Sequence, residues 1–203
     1  MYFYPKELIF ERAIIHHLAE YPGDYINAIR KLPKNLQMMF IHSYQAYIFN
    51  KVLSERLRRR LPLNEALHGD FILPINKYNL PLHDSWIVAD EHNIAKLNTK
   101  LKECKAYVSG AVFGSDGIVA NGIQGEIECK IIEEEKITSE DFIITEMPEL
   151  SSKGERRNML APLHSLDYKV ESNCVSMKFQ LQKGSYATAL LREFMKAESL
   201  MAY

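Results

Sequence analysis

The hydrophobic period of this chain changes along its length. Over the first three quarters, apolar residues recur every three or four positions; near the end they alternate. Pro5 suits the first turn of a helix reaching about Glu20, with Leu8, Ile15 and Leu18 at helical spacing, and "YPGD" ends it. Asp24 can cap a shorter helix through Ile29, and Pro33 reopens helix before "LQMMFIHSYQAYIFNKVLSERLRRR", Leu36 to Arg60. From Leu61 to Asn79 turn residues surround "DFILP", which predicts one short strand among loops, and "SWIVAD" predicts another. Asp90 caps a helix to about Glu103, with Ile94, Leu97 and Leu101 inward. "AYVSGAVFGSDGIVANG" is glycine-rich and predicted irregular, and Glu126 to Lys136 is predicted helical.

The texture changes after "MPELSSKGERRNML". In "CVSMKFQL", Val175, Met177, Phe179 and Leu181 alternate with Ser176, Lys178 and Gln180, the pattern of a half-buried strand. "KGSYATALLREFMKAESL" predicts a tight turn running into a helix, with Ser185 as its cap. Helices followed by a strand–turn–helix unit give an α+β class, divided near residue 150 into segments 1–150 and 151–203.

The long helix carries the first chemical question. Phe40, Tyr44, Tyr47, Ile48 and neighbours cover most of its circumference, which predicts deep burial. Ser43, Ala46, Asn50 and Ser54 form a narrow small and polar line. That line suits close helix packing, or a groove with Arg56, Arg58, Arg59 and Arg60 beyond it meeting phosphates. "SSKGERR" poses the same choice: Lys153, Arg156 and Arg157 form either a phosphate clamp or a solvated junction loop. In "KGSY", Gly184 permits close backbone approach, Ser185 and the following amides face a helix start, and Tyr186 either stacks on a flat ligand or fills core. Arg192 pairs with Glu193 or faces the same ligand.

Composition narrows the classes. The 203 residues are 47% hydrophobic and 25% charged, with a net charge of −1, so any polyanion site is a local patch. Cys104, Cys129 and Cys174 are odd in number and widely spaced, which suggests neither a disulfide framework nor a metal site and fits the cytoplasm. The seven histidines show no ligand spacing, and no nucleotide loop or nucleophile elbow occurs. No apolar run reaches the length of a membrane span, and the N-terminus lacks a signal-peptide pattern.

Three segments, "LPKNLQMMFIHSYQAYIFNKVLSER", "PELSSKGERRNML" and "KFQLQKGSYATALLREF", resemble the TruD family of tRNA pseudouridine synthases, especially its archaeal members. "LHGDFILP" and "GIQGEIE" are similar to its intervening segments. The resemblance implies a family-specific α/β domain beside the last strand and helix of a catalytic sheet. It implies cofactor-free isomerisation of uridine 13 of tRNA to pseudouridine, with an aspartate as nucleophile. The target base would leave its stack to reach that aspartate. By resemblance Tyr186, with Gly184, Ser185 and Arg192, belongs to the uridine pocket. Asn50, Ser54 and Arg56 match the family's F-N-x-x-x-x-x-R pattern, and Gln45 an archaeal-type glutamine, in the domain that helps clasp tRNA.

The family's A-G-x-K-D nucleophile motif and its N-Y-F-G-x-Q-R-F-G motif are missing, and none of the seven aspartates follows a lysine. The chain therefore resembles the second half of such an enzyme, inactive alone. The partner of its last strand is then the missing N-terminal half or another copy of the chain, and residues from about 155 onward are expected to be poorly protected unless paired. A non-catalytic RNA-binding module is the alternative. A helical DNA binder using the arginine run is a third reading that the near-neutral charge disfavours.

Overall fold

A computed structural model describes residues 5, 7–182 and 184–196. Two short helices, α1 (Ile9–Glu20) and α2 (Tyr25–Arg30), lead into the long α3 (Lys34–Arg58). Asp24 caps α2 as expected, its carboxylate accepting from the Asn27 amide at 3.3 Å. In α1 only His17 is buried; Ile15, one of the apolar residues at helical spacing, is exposed.

The core is a four-stranded antiparallel sheet in the order β2-β1-β3-β4: β1 (Phe71–Pro74), β2 (Ile87–Val88), β3 (Ala106–Val112) and β4 (Glu155–Asn158). α4 (Ile94–Lys102), α5 (Gly122–Glu135) and α3 all touch β3. Asn93 rather than Asp90 stands at the start of α4, while the Asp90 carboxylate accepts from the His92 and Asn93 amides in the preceding turn. Leu97 and Leu101 point into the core, as their spacing predicts.

β3 corrects the irregular segment expected at "AYVSGAV": all seven of its residues are buried. A central strand covered on both faces is continuously apolar and lacks alternation. Its glycine is a packing device, since a Cβ at Gly110 would sit 3.1 Å from the Phe49 ring and 2.9 Å from the Met159 methyl. "ERRN" is likewise strand, not loop. β4 pairs Arg156 with Ala111 and Arg157 with Gly110, so this sheet crosses the division expected at residue 150.

After Met159 the packing thins. β5 (Leu163–Val170) and β6 (Val175–Leu181) form a separate antiparallel hairpin with a bulge between His164 and Asp167, followed by α6 (Ala187–Met195). Tyr186, not Ser185, is the α6 cap residue, and no side chain caps it. The alternation of Val175, Met177, Phe179 and Leu181 exists, but none of these residues is fully buried. Among the described residues no helix is long and apolar enough to cross a membrane.

Candidate nucleic-acid interface

α3 presents three different faces. Gln45, Ile48, Phe49, Val52 and Arg56 recur at inward spacing and are buried. Phe40, Tyr44 and Tyr47, which the sequence pattern placed in the core, form an exposed stripe. The core needs only one side of a helix against one sheet, so the remaining aromatics face outward. Between these two faces runs the small and polar line Ser43, Ala46, Asn50 and Ser54. Its first three residues line a groove of about 800 Å³.

Ser152, Lys153, Gly154 and Arg157 of the 152–157 segment also line it, as does Tyr186. All three distant motif segments thus meet in one hollow, of a size suited to a nucleotide-scale ligand, roughly 300–1,000 Å³. Gln45 joins the first two. Its amide donates to the Phe113 carbonyl at 2.8 Å, and its side-chain oxygen accepts from the Ser152 hydroxyl at 3.1 Å. With both ends engaged and the residue buried, Gln45 positions the wall rather than offering free hydrogen bonds. Gly154 adopts φ +84°, and the Gly114 backbone passes so close that a Cβ at either residue would collide with the other. This contact turns the 152–154 loop toward the groove.

Two arginines expected at the polyanion surface are instead fully enclosed. Arg56 makes a bidentate pair with Asp70, both contacts at 2.8 Å, and donates to the Pro62 carbonyl. Arg156 makes a second bidentate pair with Glu128, both contacts at 2.9 Å, and donates to Ser109. Gln124 links the pairs: it accepts from Arg56 at 2.8 Å and donates to Glu128 at 2.8 Å. Both arginines have 0% exposure, so neither meets a phosphate in this conformation. The signals for this were local. Arg56 falls in register with Phe49 and Val52 on the inward helix face, and strand alternation sends Arg156 inward while Arg157 faces the groove. Asp70, Gln124 and Glu128 had no sequence signal, because each becomes informative only beside its partner.

The cations that remain differ in freedom. Lys153 is exposed at the groove. Arg157 is half-buried, 3.1 Å from Glu155 and 5.5 Å from the Phe49 ring centroid. Arg58 and Arg59 both pair with Glu55, as does Lys130. Hydrogen bonds from Arg59, then Lys130 and Arg58, draw the Glu55 carboxyl down to about 2. Asn50 is exposed in the groove; Gly184, Ser185 and Arg192 are not among its lining residues. No aspartate lines it among the described residues, nor do three or more His, Cys, Asp or Glu side chains cluster as metal ligands there.

The family model for tRNA pseudouridine synthase D (TruD) matches residues 1–194. The chain belongs to the TruD family. A relative from Methanococcoides burtonii, named as a tRNA pseudouridine synthase D, is 40% identical over 97% of this chain and 46% of its own length. One of the same name from Pyrococcus furiosus is 38% identical over 95% of this chain and 47% of its own length. A crystal structure from Methanosarcina mazei bearing the TruD name superposes with a TM-score of 0.88 at 36% identity, covering 96% of this chain and 46% of that one. The mixed helix and sheet architecture is therefore the TruD fold over this region, and the chain spans about half the length of these relatives.

Proposed function

We propose that this chain forms the tRNA-clasping portion of a cytoplasmic pseudouridine synthase that isomerises uridine 13, with tRNA held along the groove between α3 and the 152–157 segment. The observation that carries this reading is the convergence of Asn50, Lys153, Arg157 and Tyr186, from three separated motif segments, on one hollow. In this reading Tyr186 stacks on the extruded uridine, Asn50 hydrogen-bonds the nucleotide, and Lys153 and Arg157 meet phosphates. Arg58 and Arg59 sit beyond the groove and contribute weakly, since Glu55 already engages them. Isomerisation further requires a nucleophilic aspartate; the base separates from the sugar at N1, turns, and rejoins through C5. That aspartate belongs to the A-G-x-K-D segment missing from these 203 residues.

The test is pseudouridine formation in an unmodified tRNA transcript, with this chain alone and with a polypeptide carrying the A-G-x-K-D segment added. The expected result is no product alone and product with the complement. Product from this chain alone would mean that one of its seven aspartates is the nucleophile. Salt-dependent tRNA binding with no product in either arm would favour a non-catalytic RNA-binding module, the reading supported by the lack of any aspartate following a lysine.

A further inference from the structure

Tyr47 stands where two hollows meet. It lines the main groove and also a smaller hollow of about 270 Å³ between α3 and α5, and Asn50 is shared in the same way. Tyr47 is 47% exposed, yet its ring is fixed by several contacts. The Tyr44 ring lies 6.1 Å away, inclined by 23°, and Tyr44 in turn lies 6.4 Å from the buried Phe142 ring at 24°. The three rings form a ladder rooted in the core. The Tyr47 hydroxyl donates to Glu135 at 3.1 Å, and the Lys51 ammonium sits 5.8 Å from its ring centroid. A surface aromatic held in this way has already lost the side-chain freedom that a ligand would otherwise have to restrict.

We propose that Tyr47 is a stacking platform for an unpaired nucleobase adjacent to the nucleotide in the main groove, so that single-stranded RNA crosses from one hollow to the other over this ring. The inference rests on the RNA reading of the groove and adds a second base-binding position to it. A base suits this place better than a phosphate. Lys51 is already paired with Glu134 and Glu135, and Lys130 with Glu55 and Glu134, so a phosphate meets cations that are already neutralised. Stacking needs only a flat, accessible π-face and is indifferent to that balance. Tyr44 is the positioning residue behind it.

The experiment measures binding of this chain to an unmodified tRNA transcript across a salt series, with 2-aminopurine placed on either side of the target uridine as a stacking probe. Tyr47→Leu keeps apolar bulk without the π-face; it should abolish probe quenching at one position and weaken binding roughly five- to fifty-fold, with the salt slope unchanged. Tyr47→Phe should retain the quenching and bind within about threefold of the parent. Lys153→Ala and Arg157→Ala should each lower the salt slope by about one. If those two change the slope while Tyr47→Leu behaves as the parent, the groove reading stands and the stacking platform is refuted. Equal losses in Tyr47→Leu and Tyr47→Phe would assign the effect to the Glu135 hydrogen bond and likewise refute it. So would intact RNA binding combined with lost association to a second polypeptide. Absence of any salt-dependent tRNA binding would overturn the groove reading and this inference together.

Discussion

Residues 34–159 and residues 160–196 belong to one chain but are stabilised very differently. The first segment buries β3 completely, sets α3, α4 and α5 around it, and encloses two arginine–carboxylate pairs bridged by Gln124. The second is a two-stranded hairpin and one helix with no fully buried residue among those described; Tyr168, Val170, Val175, Phe194 and Met195 are all exposed. A hairpin with only two strands is marginal by itself. It is tied to the body by a hydrogen bond from the Gln182 side-chain amide to the Asn79 carbonyl, 2.9 Å. Internal consistency of packing, rather than the amount of secondary structure, separates the two regions.

Amide hydrogen exchange should separate them most widely. β3 amides should open only with global unfolding, on the order of 5–15 kcal/mol for a domain, whereas β6 amides should exchange through local opening at a small fraction of that. Equal protection of β3 and β6 in a monomer would contradict this division. The buried relay gives the next largest effect. Glu128→Ala leaves Arg156 charged and unpaired in the interior, and denaturant unfolding should show a loss of about 3–5 kcal/mol. A loss under about 1 kcal/mol would mean that the relay is open to water.

Apolar truncations sharpen the contrast on a smaller scale. Ile72→Val, fully buried in β1, should cost about 0.5–1.5 kcal/mol, while Val175→Ala in β6 should fall within about 0.5 kcal/mol of the parent. Similar costs at the two sites would show that the hairpin is packed against something in solution. The smallest effect concerns pH. The Glu55 carboxyl lies below its usual value of 4.5, at about 2, so its contribution is present above about 4.5 and is lost as pH falls toward 2. Glu55→Gln should lower stability at pH 7, where the ion pairs of Glu55 are intact, and flatten the loss of stability as pH falls from about 4.5 toward 2; an unaltered acid profile would disconnect Glu55 from acid stability.

Legibility in the sequence followed the reach of each interaction. The Asp24 cap, the inward face of α4 and the alternation of β6 depend on neighbours a few positions away, so spacing exposed them; the starts of α4 and α6 fell at Asn93 and Tyr186 rather than at Asp90 and Ser185. β3 carries no such signal, because a strand covered on both faces has no polar alternation, and Gly110, a loop-forming residue by type, fits there only because Phe49 and Met159 pack against it. Charge proved least legible: "RLRRR" and "GERR" supply arginines of opposite fate, Arg56 and Arg156 enclosed, Arg58 and Arg157 at the surface. The groove was half legible, since its three motif segments are visible in order along the chain.

By itself, then, the sequence determined which stretches are helical, that the last segment differs in character, and to which family the chain belongs, because local propensity and motif identity are carried by adjacent residues. Only the tertiary structure decided which arginines are buried, that Tyr47 stands open between two hollows, and that Asn50, Lys153 and Tyr186 share a groove. Those outcomes depend on partners up to a hundred or more positions away: Asp70 and Glu128 for the arginines, Glu135 for Tyr47, and Ser152 for Gln45. A charged or aromatic side chain has no fixed environment until the fold delivers its partner.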